Sequence, residues 1–180
     1  MTADALIRIS NLAEKEFGSL SEAQLNAKPA SDRWSIAQCL DHLIASNSKY
    51  VPMLKACLKA GHKKSIWEKY NPLTNYTGKQ MIKTLGPEVK QKYKAPQLFR
   101  PAGKTIEPGI VKRFILHQKE LSEMFSILEQ ENFSSMVISS PVSGLITLKV
   151  HDVLSIIIVH EERHLNQALG VKQIILETGN

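Results

Sequence analysis

From about residue 148 to 177 an apolar position recurs at steps of three and four: Val150, Val153, Ile157, His160, His164, Ala168, Val171 and Ile175, apolar except for the two His. That period belongs to an α-helix with one buried face, and Thr147 stands where its N-cap is wanted. Three more segments share the period. One covers about 3–18, with Leu6, Ile9, Ala13 and Phe17; one about 36–60, with Ile36, Leu40, Leu43, Val51, Leu54 and Leu58; one about 109–130, with Ile110, Phe114, Leu121, Met124, Phe125 and Leu128. Ser35 and Gln38 form an S-x-x-Q capping box at the start of the second. Pro52 is expected to kink it, because the ring removes a hydrogen bond and crowds the preceding turn. The segment 134–146 reads as an extended loop, and no strand set large enough for a sheet is evident. Four amphipathic helices without a sheet predict an all-α, four-helix bundle, one domain over residues 1–180.

The connections set the topology. About 45 residues separate the second and third helices, and five of the eight prolines fall there, between 72 and 108. Such a stretch is too long for plain linker. It can cross the whole bundle, so the second and third helices run parallel in an up-down-down-up arrangement, with the crossover packed over one end or flank. A short helix is expected around Lys79–Leu85. The crossover also concentrates the charge: residues 59–104 hold eleven Lys or Arg against two Glu, in a chain of net charge +6. Its aromatics (Trp67, Tyr70, Tyr76, Tyr93, Phe99) interleave with Lys as in a single-strand platform, but no DNA- or RNA-binding motif accompanies them. A solvated basic loop is the expectation, with no nucleic-acid partner. No run approaches the ~20 apolar residues of a membrane span, so no membrane partner is expected. The N-terminus is polar and acidic where a signal peptide needs an apolar stretch, which predicts a cytoplasmic location. Cys39 and Cys57 fall on one helix, roughly 27 Å apart, too far for a disulfide.

The histidines carry the chemistry. His160 and His164 interrupt an otherwise apolar stripe at i, i+4, which puts both imidazoles on one side, one turn apart. Two readings stand: core histidines satisfied by hydrogen bonds, or a pair sharing a metal, which is the spacing a metal needs. His151, nine residues before His160, falls on the opposite face and is expected to be exposed; His62, in the basic loop, is expected to be solvated. His42 stands beside the apolar stripe of the second helix, with Cys39 one turn before it as a competing ligand. His117 lies on the stripe of the third helix and is a candidate fourth ligand, a group behind the ligands, or a core histidine.

Residues 160–164, His-Glu-Glu-Arg-His, also match H-E-x-x-H, in which two His hold zinc and the Glu activates water. The context is poor for such a protease. Few residues remain downstream for a third ligand, and no sheet offers a substrate edge. Glu161 and Glu162 are expected on the flank or surface.

KPASDRWSIAQCLDHLIASN and, more than a hundred residues later, VHEERHLNQALGVKQ resemble the DinB-like (DinB/YfiT) metal-binding superfamily. The matching features are Lys28-Pro29, Trp34-Ser35, His42-Leu43 and the late H-x-x-x-H with Gln167 three residues on, and the loop KAPQLFRP is similar too. The resemblance implies an up-down-down-up bundle, often dimeric, whose divalent metal is held by His42, His160 and His164. It implies a small-molecule substrate and, in some relatives, transfer of a low-molecular-weight thiol cofactor to an electrophile. The metal could be Zn, Ni, Mn or Fe, since imidazole suits all four. Asp41, Glu161 and Gln167 are candidates to hold the second ring nitrogens. A metal-dependent thiol transferase or hydrolase and a non-catalytic metal-binding stress-response protein both fit this pattern. Lys92 and Lys94 would attract an anionic ligand if the crossover roofs the metal end.

Overall fold

The computed structural model describes residues 1–59, 65–87, 99, 101, 103 and 105–178. Four long helices appear where the periodicity places them: α1 (Thr2–Phe17), α3 (Ile36–Cys57), α6 (Ile110–Leu128) and α8 (Val150–Thr178). The Ser35–Gln38 capping box opens α3 as expected, with the Gln38 amide N–H donating to Ser35 Oγ at 3.1 Å. The helix runs on through Pro52. Gly109, the one described residue with positive φ (78°), precedes α6.

Short elements fill the connections. α2 (Glu22–Asn26) and α4 (Ile66–Tyr70) each begin with a capping box, Ser21–Gln24 and Ser65–Glu68. α5 (Thr74–Leu85) is longer than the expected turn of helix, and α7 (Glu131–Ser134) follows α6. The region expected as loop forms a hairpin instead. β1 (Val137–Ser140) pairs antiparallel with β2 (Ser143–Lys149), Ile138 facing Leu148. Thr147 is therefore not the cap of the last helix. It lies fully buried in β2, its hydroxyl 2.6 Å from that of Thr74 and accepting from Asn71 Nδ2. The hairpin is stabilised by helical side chains at its backbone: Trp67 Nε1–H and Thr77 Oγ1–H donate to the Leu145 and Thr147 carbonyls, and Glu68 accepts from the Ser139 amide. Two strands without that support are marginal in water.

The core divides into two apolar clusters. One joins Leu6, Leu54, Phe125, Leu128, Val153 and Ile157; the other joins Phe17, Ile36, Leu40, Ile110, Phe114, Leu165 and Ala168. The first draws on the start of α1 and α8 and the end of α3 and α6; the second draws on the opposite ends. That distribution makes the bundle up-down-down-up, with α3 and α6 parallel. The helices pack chiefly in the cycle α1, α6, α3, α8, with a smaller contact between α6 and α8 across it. α5 and the hairpin cover the flank at the start of α8, so the α5 portion of the crossover packs against the bundle. Between the two clusters α3, α6 and α8 carry polar side chains inward.

Candidate metal centre

That polar waist gathers the histidines. His42 is buried at 2% exposure, although its position in sequence put it at the flank of the stripe. Its Nδ1–H donates to the carbonyl of Phe99, one of the described residues of the crossover. A neutral imidazole with its proton on Nδ1 has a bare lone pair on Nε2, and His42 Nε2 lies 3.2 Å from Nε2 of His160. His164 Nδ1 faces Gln167 Oε1 at 3.1 Å, which fixes the same tautomer and leaves its Nε2 free for the centre. One ring nitrogen from each of His42, His160 and His164 lies within 4.8 Å of the other two. The rings meet edge to face, with centroids 4.5–5.0 Å apart.

Burial keeps all three neutral. Desolvation holds His42 below the usual histidine range; it pushes His160 down to about 3, helped by His42 and Arg163, and His164 down to about 2, helped by His160, His42 and Arg163. With its proton on Nε2, His160 donates to the bare His42 Nε2 at 3.2 Å; with its proton on Nδ1, it turns a third lone pair to the centre. In the latter form the set is a ligand array for a cation. Two nitrogens on one tetrahedral zinc stand about 3.3 Å apart, close to the His42–His160 spacing. The residues present fit a divalent metal.

Trp34 forms one wall. Its ring is 4.8 Å from that of His42, tilted by 54°, and 5.6 Å from that of His164, with the planes 25° apart. Ser46 sits one turn behind His42, its Oγ 3.4 Å from Nδ1. Of the groups expected to hold the rings, Gln167 does so. The Phe99 carbonyl was not foreseen, because a backbone acceptor brought in by a loop leaves no mark in the sequence.

Glu161 departs most from expectation. It is fully buried, and its Oε1 accepts from Asn47 Nδ2 at 2.6 Å and from Gln118 Nε2 at 2.8 Å. Burial raises its carboxyl to about 7 against the opposing pull of those two amides. A carboxyl held this way inside the core is not a base poised on an incoming water, so the H-E-x-x-H protease reading loses its acid–base residue. In the structure Leu154, Ile158, Glu161, Leu165 and Ala168 form a second buried line on α8, beside the stripe of the two histidines.

The other candidates fall outside the cluster. Cys39 is in the apolar core, its thiol pushed up to about 12 by burial. His117 is half-buried and held below the usual range by desolvation; its Nε2 has no hydrogen-bond partner. Neither belongs to the three-residue group, which is the one such group among the described residues. His151 is exposed, as expected, and pairs with Asp152 at 3.1 Å. His62, Lys92 and Lys94 lie outside the described residues. No helix among the described residues is long and apolar enough to cross a membrane.

Comparison with known proteins agrees with this architecture. The chain is 32% identical over 161 residues to the uncharacterized protein YuaE of Bacillus subtilis (strain 168), covering 89% of this chain and 90% of that protein. Its fold is similar to that of YfiT from Bacillus subtilis, described as "a probable metal-dependent hydrolase with an unusual four-helix bundle topology". The TM-score is 0.57 and the identity 11%, over 99% of this chain and 86% of that one. Residues 5–168 match the sequence profile of the DinB superfamily. With nearly its whole length matched, the chain belongs to the DinB superfamily.

Proposed function

We propose that the protein is a metal-dependent enzyme that binds one divalent cation (Zn, Ni, Mn or Fe) on His42, His160 and His164 and acts on a small-molecule substrate, by hydrolysis or by transfer of a low-molecular-weight thiol. The observation that carries this reading is the convergence of three ring nitrogens, on rings held neutral, within 4.8 Å of one another. The description of YfiT as a probable metal-dependent hydrolase supports the same direction. A divalent cation on three neutral imidazoles keeps its full charge and lowers the pKa of a water or thiol it binds, supplying a nucleophile at neutral pH. The chain's own part is orientation. Phe99 and Gln167 fix the tautomers of His42 and His164, and Trp34 restrains both rings from one side.

Elemental analysis of tag-free protein tests the reading. About one divalent metal per chain is expected, with complete loss in His160→Ala and in His42→Ala. Full occupancy in His42→Ala would remove the third ligand and overturn the assignment. Turnover of thiol plus electrophile, or of simple esters and amides, then separates transferase from hydrolase. Metal without either activity favours the non-catalytic metal-binding reading.

A further inference from the structure

We infer that Asn47, Gln118 and Glu161 form a register lock, a set of positioning residues that sets α8 against α3 and α6 so that His42 meets His160 and His164. The inference rests on the three-histidine reading of the site.

The polar waist of this bundle interrupts an apolar core, which demands an explanation. Asn47, Gln118 and Glu161 are at 1%, 1% and 0% exposure, and the partners of the carboxyl are two neutral amides. Burying such groups costs stability, and well-packed apolar residues often do as well or better there. The best-attested return on a buried polar group is specificity of register.

The geometry fits that use. One oxygen, Glu161 Oε1, receives both carboxamides, from α3 at 2.6 Å and from α6 at 2.8 Å. Apolar stripes on parallel or antiparallel helices tolerate sliding by a turn, about 5.4 Å, because one aliphatic side chain replaces another. A bond from two helices to one atom does not. Glu161 follows His160 directly, and Asn47 lies five residues after His42 on the antiparallel partner. The lock and the histidines therefore share one α3–α8 contact, and a slip of one turn would carry His42 away from the α8 pair. Ligand atoms must stand within a few tenths of an ångström for a metal to bind, so a loosened register costs affinity before it costs folding.

The test uses the full-length chain carrying Asn47→Leu, Gln118→Leu and Glu161→Leu together. Two readouts are taken: divalent-metal affinity, with cobalt(II) as probe, and the distance between spin labels on Lys55→Cys and Asn166→Cys in metal-free protein. Both labelled positions are exposed, and the native Cys39 and Cys57 are buried. The triple variant is expected to fold with a thermal midpoint at or above that of the unmutated chain. Its label distances should spread or shift by a helical turn, and its cobalt affinity should fall at least about tenfold, because the ligand nitrogens no longer stand within the tolerance a metal needs. Glu161→Gln, which still accepts from both amides, is expected to keep the single label distance and to bind cobalt within threefold of the unmutated chain.

Unchanged distance and affinity in the triple variant would overturn the inference. So would a tenfold loss in Glu161→Gln with distances unchanged, since that outcome assigns Glu161 a charge role. If the triple variant does not fold, Asn47→Ala decides by the same two readouts. If the unmutated chain takes up no metal, the functional reading falls, and the label distances still decide the register.

Discussion

Protons act on Glu161 and on the histidines in opposite directions, and the metal-free protein should show both. His160 and His164 have folded values of about 3 and about 2, against about 6.5 in an unfolded chain. Below pH 6.5 the unfolded state binds more protons, so their contribution is complete above that pH and is lost as the pH falls. Glu161 is the reverse. Its folded value of about 7 lies above the usual carboxyl value of about 4.5, so its contribution is complete below 4.5 and is lost as the pH rises through 7. The thermal midpoint of metal-free protein should therefore peak between about pH 4.5 and 7, and in Glu161→Gln the decline on the alkaline side should vanish. Parallel midpoint–pH curves for the two proteins would contradict this account. At this scale the sequence was partly legible. The i, i+4 pair on α8 announced itself by interrupting an apolar stripe. His42 and Glu161 did not, because each lies beside the stripe on a helix that packs on two neighbours, where the buried arc is wider than one line of residues.

Among the elements, α2, α4 and the hairpin were the hardest to foresee, whereas the short helix expected around Lys79–Leu85 is the C-terminal part of α5. Ser21–Gln24 and Ser65–Glu68 carry the same capping signature as Ser35–Gln38, yet five-residue helices have too little length for periodicity to show. β1 and β2 depend on Trp67, Glu68, Asn71 and Thr77 from across the crossover, a support that local sequence does not reveal. The closeness of α5 to α8 is testable at Gly78. A Cβ added there would lie 2.3 Å from Oδ2 and 3.0 Å from Cβ of Asp152, itself 6% exposed. Gly78→Ala should cost about 1–3 kcal/mol in chemical denaturation, despite the gain of about 1 kcal/mol in helix propensity. Gly78→Ala with Asp152→Ala should recover part of the loss. A Gly78→Ala protein more stable than the unmutated one would mean that α5 does not seat on α8 so closely.

For the whole molecule, α1 matters although it supplies no ligand. It contributes Leu6 to one core cluster and Ala13 and Phe17 to the other, each at 0% exposure. Phe17→Ala should destabilise the fold by about 3–5 kcal/mol. Its remaining folded fraction should still take up metal at the full ratio, as followed by circular dichroism and elemental analysis together. Loss of metal per folded chain would show that α1 shapes the centre directly. By itself the sequence determined that this chain is a four-helix bundle, that a long crossover lets α3 and α6 run parallel, and that α8 presents a histidine pair. Those properties are periodic or depend on chain length, and both are written locally. The family resemblance named His42 beside that pair, where its own helix periodicity did not; only the tertiary structure decided that a crossover carbonyl fixes its tautomer and that Glu161 points inward to two amides. These depend on which faces of separate helices meet and at what register, and no single helix encodes the register of its neighbours.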